Sequence, residues 1–281
     1  MITLVDFVYY LEILIIIYFF TVNFSYLALT FLAAERLFAQ TLRQKVSITQ
    51  TRDSALIPSV TIIAPAHNEE LTITESVSSF LEVHYPELEI IVVNDGSGDG
   101  TLKRLIDKFG LFETKIKKIS EIPTSAVIST YRSTVDNRLI VIDKVNGGKA
   151  DALNAGLNYC GSRLFCSVDA DTLIERDSIY KLVRPYLESE SHTIAIGGVV
   201  RVANDCVIEN GGVREPVLPS SFLAASQTVE YIRSFLCGRL GWSRFSNSLL
   251  IISGAFGLFD RQNVIEAGGY LTGCVGEDME L

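Results

Sequence analysis

The sequence predicts an α/β fold, a Rossmann-like, mostly parallel sheet with helices on both faces. Two observations predict it. From position 58 onward, short apolar runs alternate with helical patterns, as in a sheet whose strands are joined by covering helices. Acidic and glycine-rich clusters stand where those runs end, and open α/β sheets bind ligands beyond the carboxyl ends of their strands. A third observation concerns the N-terminus: positions 13–34 carry no charge, and as a helix they would reach about 33 Å, enough to cross a bilayer.

That apolar run is too long for a signal-peptide core, and Asp6 and Glu12 precede it where a signal would carry Lys or Arg. Arg36, Arg43, Lys45 and Arg52 follow it, so the positive-inside rule places the remaining chain in the cytosol, at a cytoplasmic membrane. Polar residues at 44–54 read as a linker. The expected division is an anchor and linker at 1–57 and a globular domain at 58–281. Within the domain, strands are expected at 60–64, 89–94, 139–143, 164–168, 193–202 and 249–259. Helices are expected at 71–81, 101–109, 149–159 and 177–190. Positions 115–134 lack a usable pattern. Positions 222–241 are amphipathic and predict a packed helix, with a membrane surface as the alternative.

Composition excludes several functions. The formal net charge is -9, which argues against a nucleic-acid track of clustered Lys and Arg. The 5 cysteines form no Cys-x-x-Cys pair and read as reduced packing residues rather than a disulfide framework or zinc site.

Four motifs carry chemistry. His67-Asn68-Glu69-Glu70 follows the first strand, where Asn and Glu also suit a plain helix start. Asn94-Asp95-Gly96-Ser97 ends the second strand; Asp95 can accept from a base imide or a ribose hydroxyl while the glycines let a nucleotide approach the backbone. Gly147-Gly148-Lys149 opens a helix, so Lys149 lies near amides that favour an anion, without the spacing of a Walker loop. Asp169-Ala170-Asp171 ends a fully apolar run, and two carboxylates there call for a cation; Mg2+ or Mn2+ suits such oxygen ligands. Further on, Gly276-Glu277-Asp278 is either an acidic pair at a helix start or a functional carboxylate site.

In that order, the motifs resemble family 2 glycosyltransferases of the GT-A fold, of the membrane-anchored kind that includes cellulose, hyaluronan and poly-N-acetylglucosamine synthases. The resemblance covers about 58–281. It implies a UDP-sugar donor, a polysaccharide or lipid-linked acceptor, and inversion at the anomeric carbon. It further implies that Glu69 and Asp95 contact the nucleoside, Lys149 the diphosphate, Asp169 the ribose or phosphate side and Asp171 the metal, with Asp278 as general base. The glycine-interrupted stretch 252–259 resembles the acceptor-side wall, where Trp242 could stack on a sugar. Processive members continue with Gln-x-x-Arg-Trp and more membrane helices, which these residues do not contain, so a fragment or an inactive nucleotide-binding relative is expected and processivity is not carried over. An aspartyl-phosphate phosphatase with Asp169 as nucleophile is the rival enzyme reading, and it leaves Asp95 and Lys149 without a role.

Overall fold

The computed structural model describes residues 4–52, 57–188, 193–209, 212–235 and 252–273. Its centre is a sheet of four parallel strands, β1 (Val60–Ala66), β2 (Leu88–Asp95), β5 (Leu139–Lys144) and β6 (Leu164–Val168), in the order β5-β2-β1-β6. Antiparallel strands extend both sides. β4 (Val127–Ser133) and β3 (Leu111–Glu113) flank β5, while β10 (Phe256–Asp260) and β7 (Ala195–Gly197) flank β6. Among the described residues the sheet is therefore mixed, parallel only at its core.

Alternation along each central strand makes two cores, because successive side chains point to opposite faces. Ile90 and Val92 face one cluster and Ile91 and Val93 the other, and β5 divides in the same way at Val141 and Ile142. The first cluster is closed by α2 (Ile73–Leu81), α3 (Thr101–Phe109) and α5 (Ser178–Glu188), through Phe80, Leu105 and Ile179. The second is closed by α4 (Lys149–Tyr159) and α7 (Arg261–Glu266), through Leu153, Leu157 and Val264. Each such buried aliphatic contributes about 1.5–3 kcal/mol of hydrophobic stabilisation. α4 lies close on β1 because Gly156 has no side chain: a Cβ there would stand 2.4 Å from the Ile63 Cγ2 atom.

Several boundaries differ from the sequence expectation. The strand signal at 193–202 contracts to Ala195–Gly197, and within the described part of 249–259 the strand is Phe256–Asp260. The unpatterned 115–134 holds β4, a strand with one half-exposed face, which weakens the apolar signal. His67–Glu70 precede α2 rather than forming its first turn. A small hairpin, β8 (Val207–Glu209) with β9 (Gly212–Glu215), was not anticipated.

The N-terminal helix, α1 (Leu4–Arg52), takes in positions 44–52 of the expected linker at 44–54, whose last two positions lie outside the described residues. Its apolar part, Leu4–Glu35, reaches a mean hydropathy of 2.0 over an 18-residue stretch in which no residue is buried, and is a candidate membrane span. Thr21, Asn23, Ser25 and Thr30 each donate to the carbonyl four residues earlier, at 2.7–2.8 Å. Polar side chains satisfied in this way are compatible with lipid. The helix at 222–241 is described as α6 (Phe222–Arg233), and it buries no residue, contrary to the expected packing. Phe222, Leu223, Val229 and Ile232 are exposed, and the Arg233 guanidinium stacks on the Tyr26 ring of α1 at 5.1 Å.

Candidate functional site

The parallel register ends the central strands level with one another: Ala66 pairs with Asn94, Asn94 with Asp143, and Asp95 with Lys144. The connections leaving these ends surround a cleft of about 320 Å³. His67 and Glu69 enter it from β1, Asp95 from β2, Asn146 and Lys149 from the β5–α4 connection, and Asp169 and Asp171 from β6. A wider depression of about 650 Å³, beside Ser59, Arg163 and Arg261, contains none of the sequence-predicted residues. It borders the starts of β1 and β6, the end of a parallel sheet opposite to where ligands bind, so the smaller cleft is the candidate site.

The first two connections are tied together. Asn68, with φ of 57°, donates its N–H to Ser97 Oγ at 3.0 Å, and its Oδ1 accepts the Gly98 N–H at 2.8 Å. The Glu69 N–H donates to Thr101 Oγ1 at 2.9 Å, and Glu69 Oε2 accepts the Thr72 hydroxyl at 2.8 Å. Because Asn68 Nδ2 lies 3.0 Å from His67 Nε2, that ring nitrogen accepts and Nδ1 carries the proton, which it donates to the Asp95 carbonyl at 2.8 Å. Glu70 instead joins the turn to α3, accepting from the Gly100 N–H and from Arg104.

Asp95 is 2% exposed, and most of its acceptor capacity is taken inside the protein. Oδ1 accepts from Lys144 Nζ at 2.5 Å and from the Gly147 N–H at 3.0 Å; Oδ2 accepts the Gly148 N–H at 2.8 Å. A carboxylate oxygen has two lone-pair sites, so one on Oδ2 remains for a ligand. Gly148, the N-cap of α4, adopts a φ of 89° that an L side chain rarely takes.

Lys149 forms an ion pair with Asp169, Nζ to Oδ1 at 2.7 Å, with both side chains about one third exposed (34% and 33%). The lysine assigned to a diphosphate is thus held by the first acid of the Asp169-Ala170-Asp171 motif. Asp171 is exposed, and no hydrogen bond or ion pair engages its carboxylate among the described residues. The Asp169 N–H donates to the Ala255 carbonyl at 3.4 Å, which sets the 252–259 stretch beside the motif.

The donor set fits a hard divalent ion of one kind only. Two carboxylates from one turn cannot complete six oxygen ligands, and no group of three His, Cys, Asp or Glu suited to a metal occurs among the described residues. Mg2+ and Mn2+ accept such a site when phosphate oxygens and water supply the other ligands. Glu69, Asp95, Asp169 and Asp171 also outnumber Lys149 and Lys144, so the site carries an excess of acidic groups.

Of the six residues singled out, Glu69, Asp95, Lys149, Asp169 and Asp171 share the cleft. Asp278, with Glu277 and Trp242, lies outside the described residues. The chain leading toward it is fixed at Tyr270: buried Asn154 on α4 donates to the Tyr270 carbonyl and accepts its N–H, both at 2.8 Å. Sequence reasoning missed His67 as a cleft residue, Asn146 and Lys144. The available signal for Lys144 was a lysine ending an apolar strand directly before the glycine turn. Cys160 and Cys166 are buried free thiols whose pKa values are pushed up by that burial, in keeping with packing.

Comparison with known proteins gives a consistent result. The model of glycosyl transferase family 2 matches residues 61–122 and 120–264. The poly-beta-1,6-N-acetyl-D-glucosamine synthase of Staphylococcus epidermidis is 26% identical over 225 residues, covering 80% of this chain and 45% of that protein. The Staphylococcus aureus synthase of the same name is 27% identical over 223 residues, covering 79% of this chain and 44% of that protein. The chain therefore spans less than half the length of these relatives. Among solved structures, a mannosyltransferase from Pyrobaculum calidifontis, in complex with GDP-Man and Mn2+, superposes with a TM-score of 0.52 at 19% identity over 90% of this chain and 61% of that one. That likeness establishes the shared GT-A-like fold.

Proposed function

The chain belongs to glycosyl transferase family 2, and on that premise we propose that it transfers a sugar from a UDP-sugar to a polysaccharide or lipid-linked acceptor at the cytoplasmic face of a membrane. The observation that carries the reading is the convergence of Glu69, Asp95, Lys149, Asp169 and Asp171, from four strand ends, on one cleft. The names of the staphylococcal relatives make UDP-N-acetylglucosamine the first donor to try.

In this reading the free lone pair on Asp95 Oδ2 accepts a hydrogen bond from the nucleoside, and Glu69 borders the same part of the cleft. Lys149 exchanges Asp169 for the diphosphate, helped by the amides that open α4. Asp171 would hold Mg2+ or Mn2+, which would supply positive charge to the departing diphosphate, with Asp169 on the ribose or phosphate side. Asp278 takes the proton from the acceptor hydroxyl, since a sugar hydroxyl is a weak nucleophile until deprotonated. One displacement inverts the anomeric centre. The basic residues that follow the apolar part of α1 support a cytosolic domain. Family membership leaves the phosphatase alternative without support.

The test is a calorimetric titration of the protein with UDP, with Mn2+ present and with the metal chelated. Metal-dependent binding that vanishes in Asp171→Ala supports the site. A folded protein that binds UDP under neither condition overturns it.

A further inference from the structure

Lys144 has no solvent-exposed surface and is among the largest side chains so enclosed. A buried ammonium is costly unless its donors are met by charge and hydrogen bonds. Here Nζ donates to Asp95 Oδ1 at 2.5 Å and to the Val145 carbonyl at 2.7 Å, and a second ion pair, to Asp151 Oδ1 at 3.4 Å, adds to the charge around it. Both carboxylates are themselves buried, at 2% and 3% exposure. Each also holds backbone: Asp95 accepts the Gly147 and Gly148 N–H groups, and Asp151 accepts the Ser125 N–H through both oxygens. A continuous chain of contacts thus runs from Lys144, through Asp95, to the turn that immediately precedes Lys149.

We propose that Lys144 is a positioning residue for the donor: it fixes the Asp95 carboxylate and, through it, the Gly147–Gly148 turn that aims Lys149 and the α4 amides at a nucleoside diphosphate. This rests on the donor-site reading above. Without Nζ, Asp95 Oδ1 keeps only the Gly147 N–H, the carboxylate gains freedom to turn, and the two-amide clamp on the turn loosens. Simple neutralisation of buried charge is a different role, and the triad lets the two be separated. Two carboxylates and one ammonium carry a formal charge of minus one. Lys144→Met combined with Asp151→Asn keeps that charge, now on Asp95 alone, while the Nζ–Oδ1 contact is gone.

The experiment uses the full membrane-embedded chain. Melting temperature, UDP affinity with Mn2+, and KM and kcat with UDP-N-acetylglucosamine as probe donor are measured for wild type, Lys144→Met and the double variant, with Asp171→Ala as the control for the site. Lys144→Met is expected to lower both the melting temperature and UDP affinity. The double variant is expected to regain part of the melting temperature lost in Lys144→Met while its UDP Kd and donor KM stay raised by about tenfold to a hundredfold, the usual effect of a small misplacement of binding groups, with kcat unchanged. Faster amide exchange at Gly147 and Gly148 should accompany the loss. Wild-type Kd and KM in the double variant would overturn the positioning role and leave charge balance as the function of Lys144. If wild-type protein itself fails to bind UDP, the donor-site reading falls and the proposal falls with it, so the two failures are told apart.

Discussion

Lys149 Nζ and Asp169 Oδ1 stand 2.7 Å apart across the mouth of the cleft, joining the start of α4 to the end of β6. Partial exposure keeps such a pair weak, at about 0–1 kcal/mol, so it can open for a phosphate without loss of the fold.

That weakness makes Lys149→Met a separable variant. Its melting temperature should stay within about 2–4 °C of wild type, because a change below 1 kcal/mol shifts a domain of this size by no more than that. Donor KM should rise about tenfold or more, as loss of a charge-assisted contact worth about 1.5–3 kcal/mol implies. Steady-state kinetics with thermal melts on the same preparation check both.

Asp171→Ala and Asp278→Asn should fail at different steps. Asp171 has no protein partner among the described residues, so its removal should leave stability intact and abolish metal-dependent UDP binding. Asp278→Asn should bind UDP normally and lose transfer by about 10²–10⁴-fold, the usual contribution of a general base. Equal loss of binding in the two variants would remove the division of roles.

Asn154→Ala should destabilise the protein by about 1–3 kcal/mol, since it removes two buried hydrogen bonds, one donated to the Tyr270 carbonyl and one accepted from its N–H. Chemical denaturation gives the number. Transfer should fall further than stability accounts for, because Asn154 holds the chain on its way to Asp278.

Acid should loosen one defined joint. Arg138 bonds the Asp136 carboxylate through Nε and Nη2 and also donates to the Leu81 carbonyl at the end of α2. The Arg138 hydrogen bonds hold the Asp136 pKa below its ordinary value. Protonation is then disfavoured in the folded state, so the stabilisation is present above an ordinary Asp pKa of about 3.9 and is lost as pH falls below it. Asp136→Asn should therefore cost about 1 kcal/mol near neutrality and converge with wild type only once the pH has fallen below the lowered folded-state pKa of Asp136. Denaturation midpoints at several pH values measure the convergence.

The parts legible in sequence were those written in local pattern. α3 and α4 begin and end where the helical spacing placed them, and β6 matches its apolar run, because each buries a regular set of side chains. Asp169 and Asp171 were visible as acids ending such a run. What sequence could not show were pairings across long separations. Asp95 looked like a free nucleotide ligand, yet its main partner is Lys144, 49 residues away and invisible to any local period. β4 was missed because half-exposed strands mix polar and apolar residues. The environment of α6 was misjudged because amphipathicity states that a helix has an apolar face, and leaves open what that face meets.

For the proposed membrane span, the length of the apolar part of α1 would set a matching condition on the surrounding lipid. From Leu4 to Glu35 is 32 residues, or about 48 Å of helix, against a hydrocarbon thickness of about 30 Å. Tilt alone cannot absorb so large an excess within the ordinary range of about 0–40°. The acidic side chains at Glu12 and Glu35 bracket a stretch of about 33 Å, close to the thickness of an ordinary membrane. In the proposed span those two residues would act as depth markers: a thinner bilayer would tip the helix, and a thicker one would draw a carboxylate toward the lipid tails. The height of the sheet above the membrane is in this sense gauged by the bilayer itself.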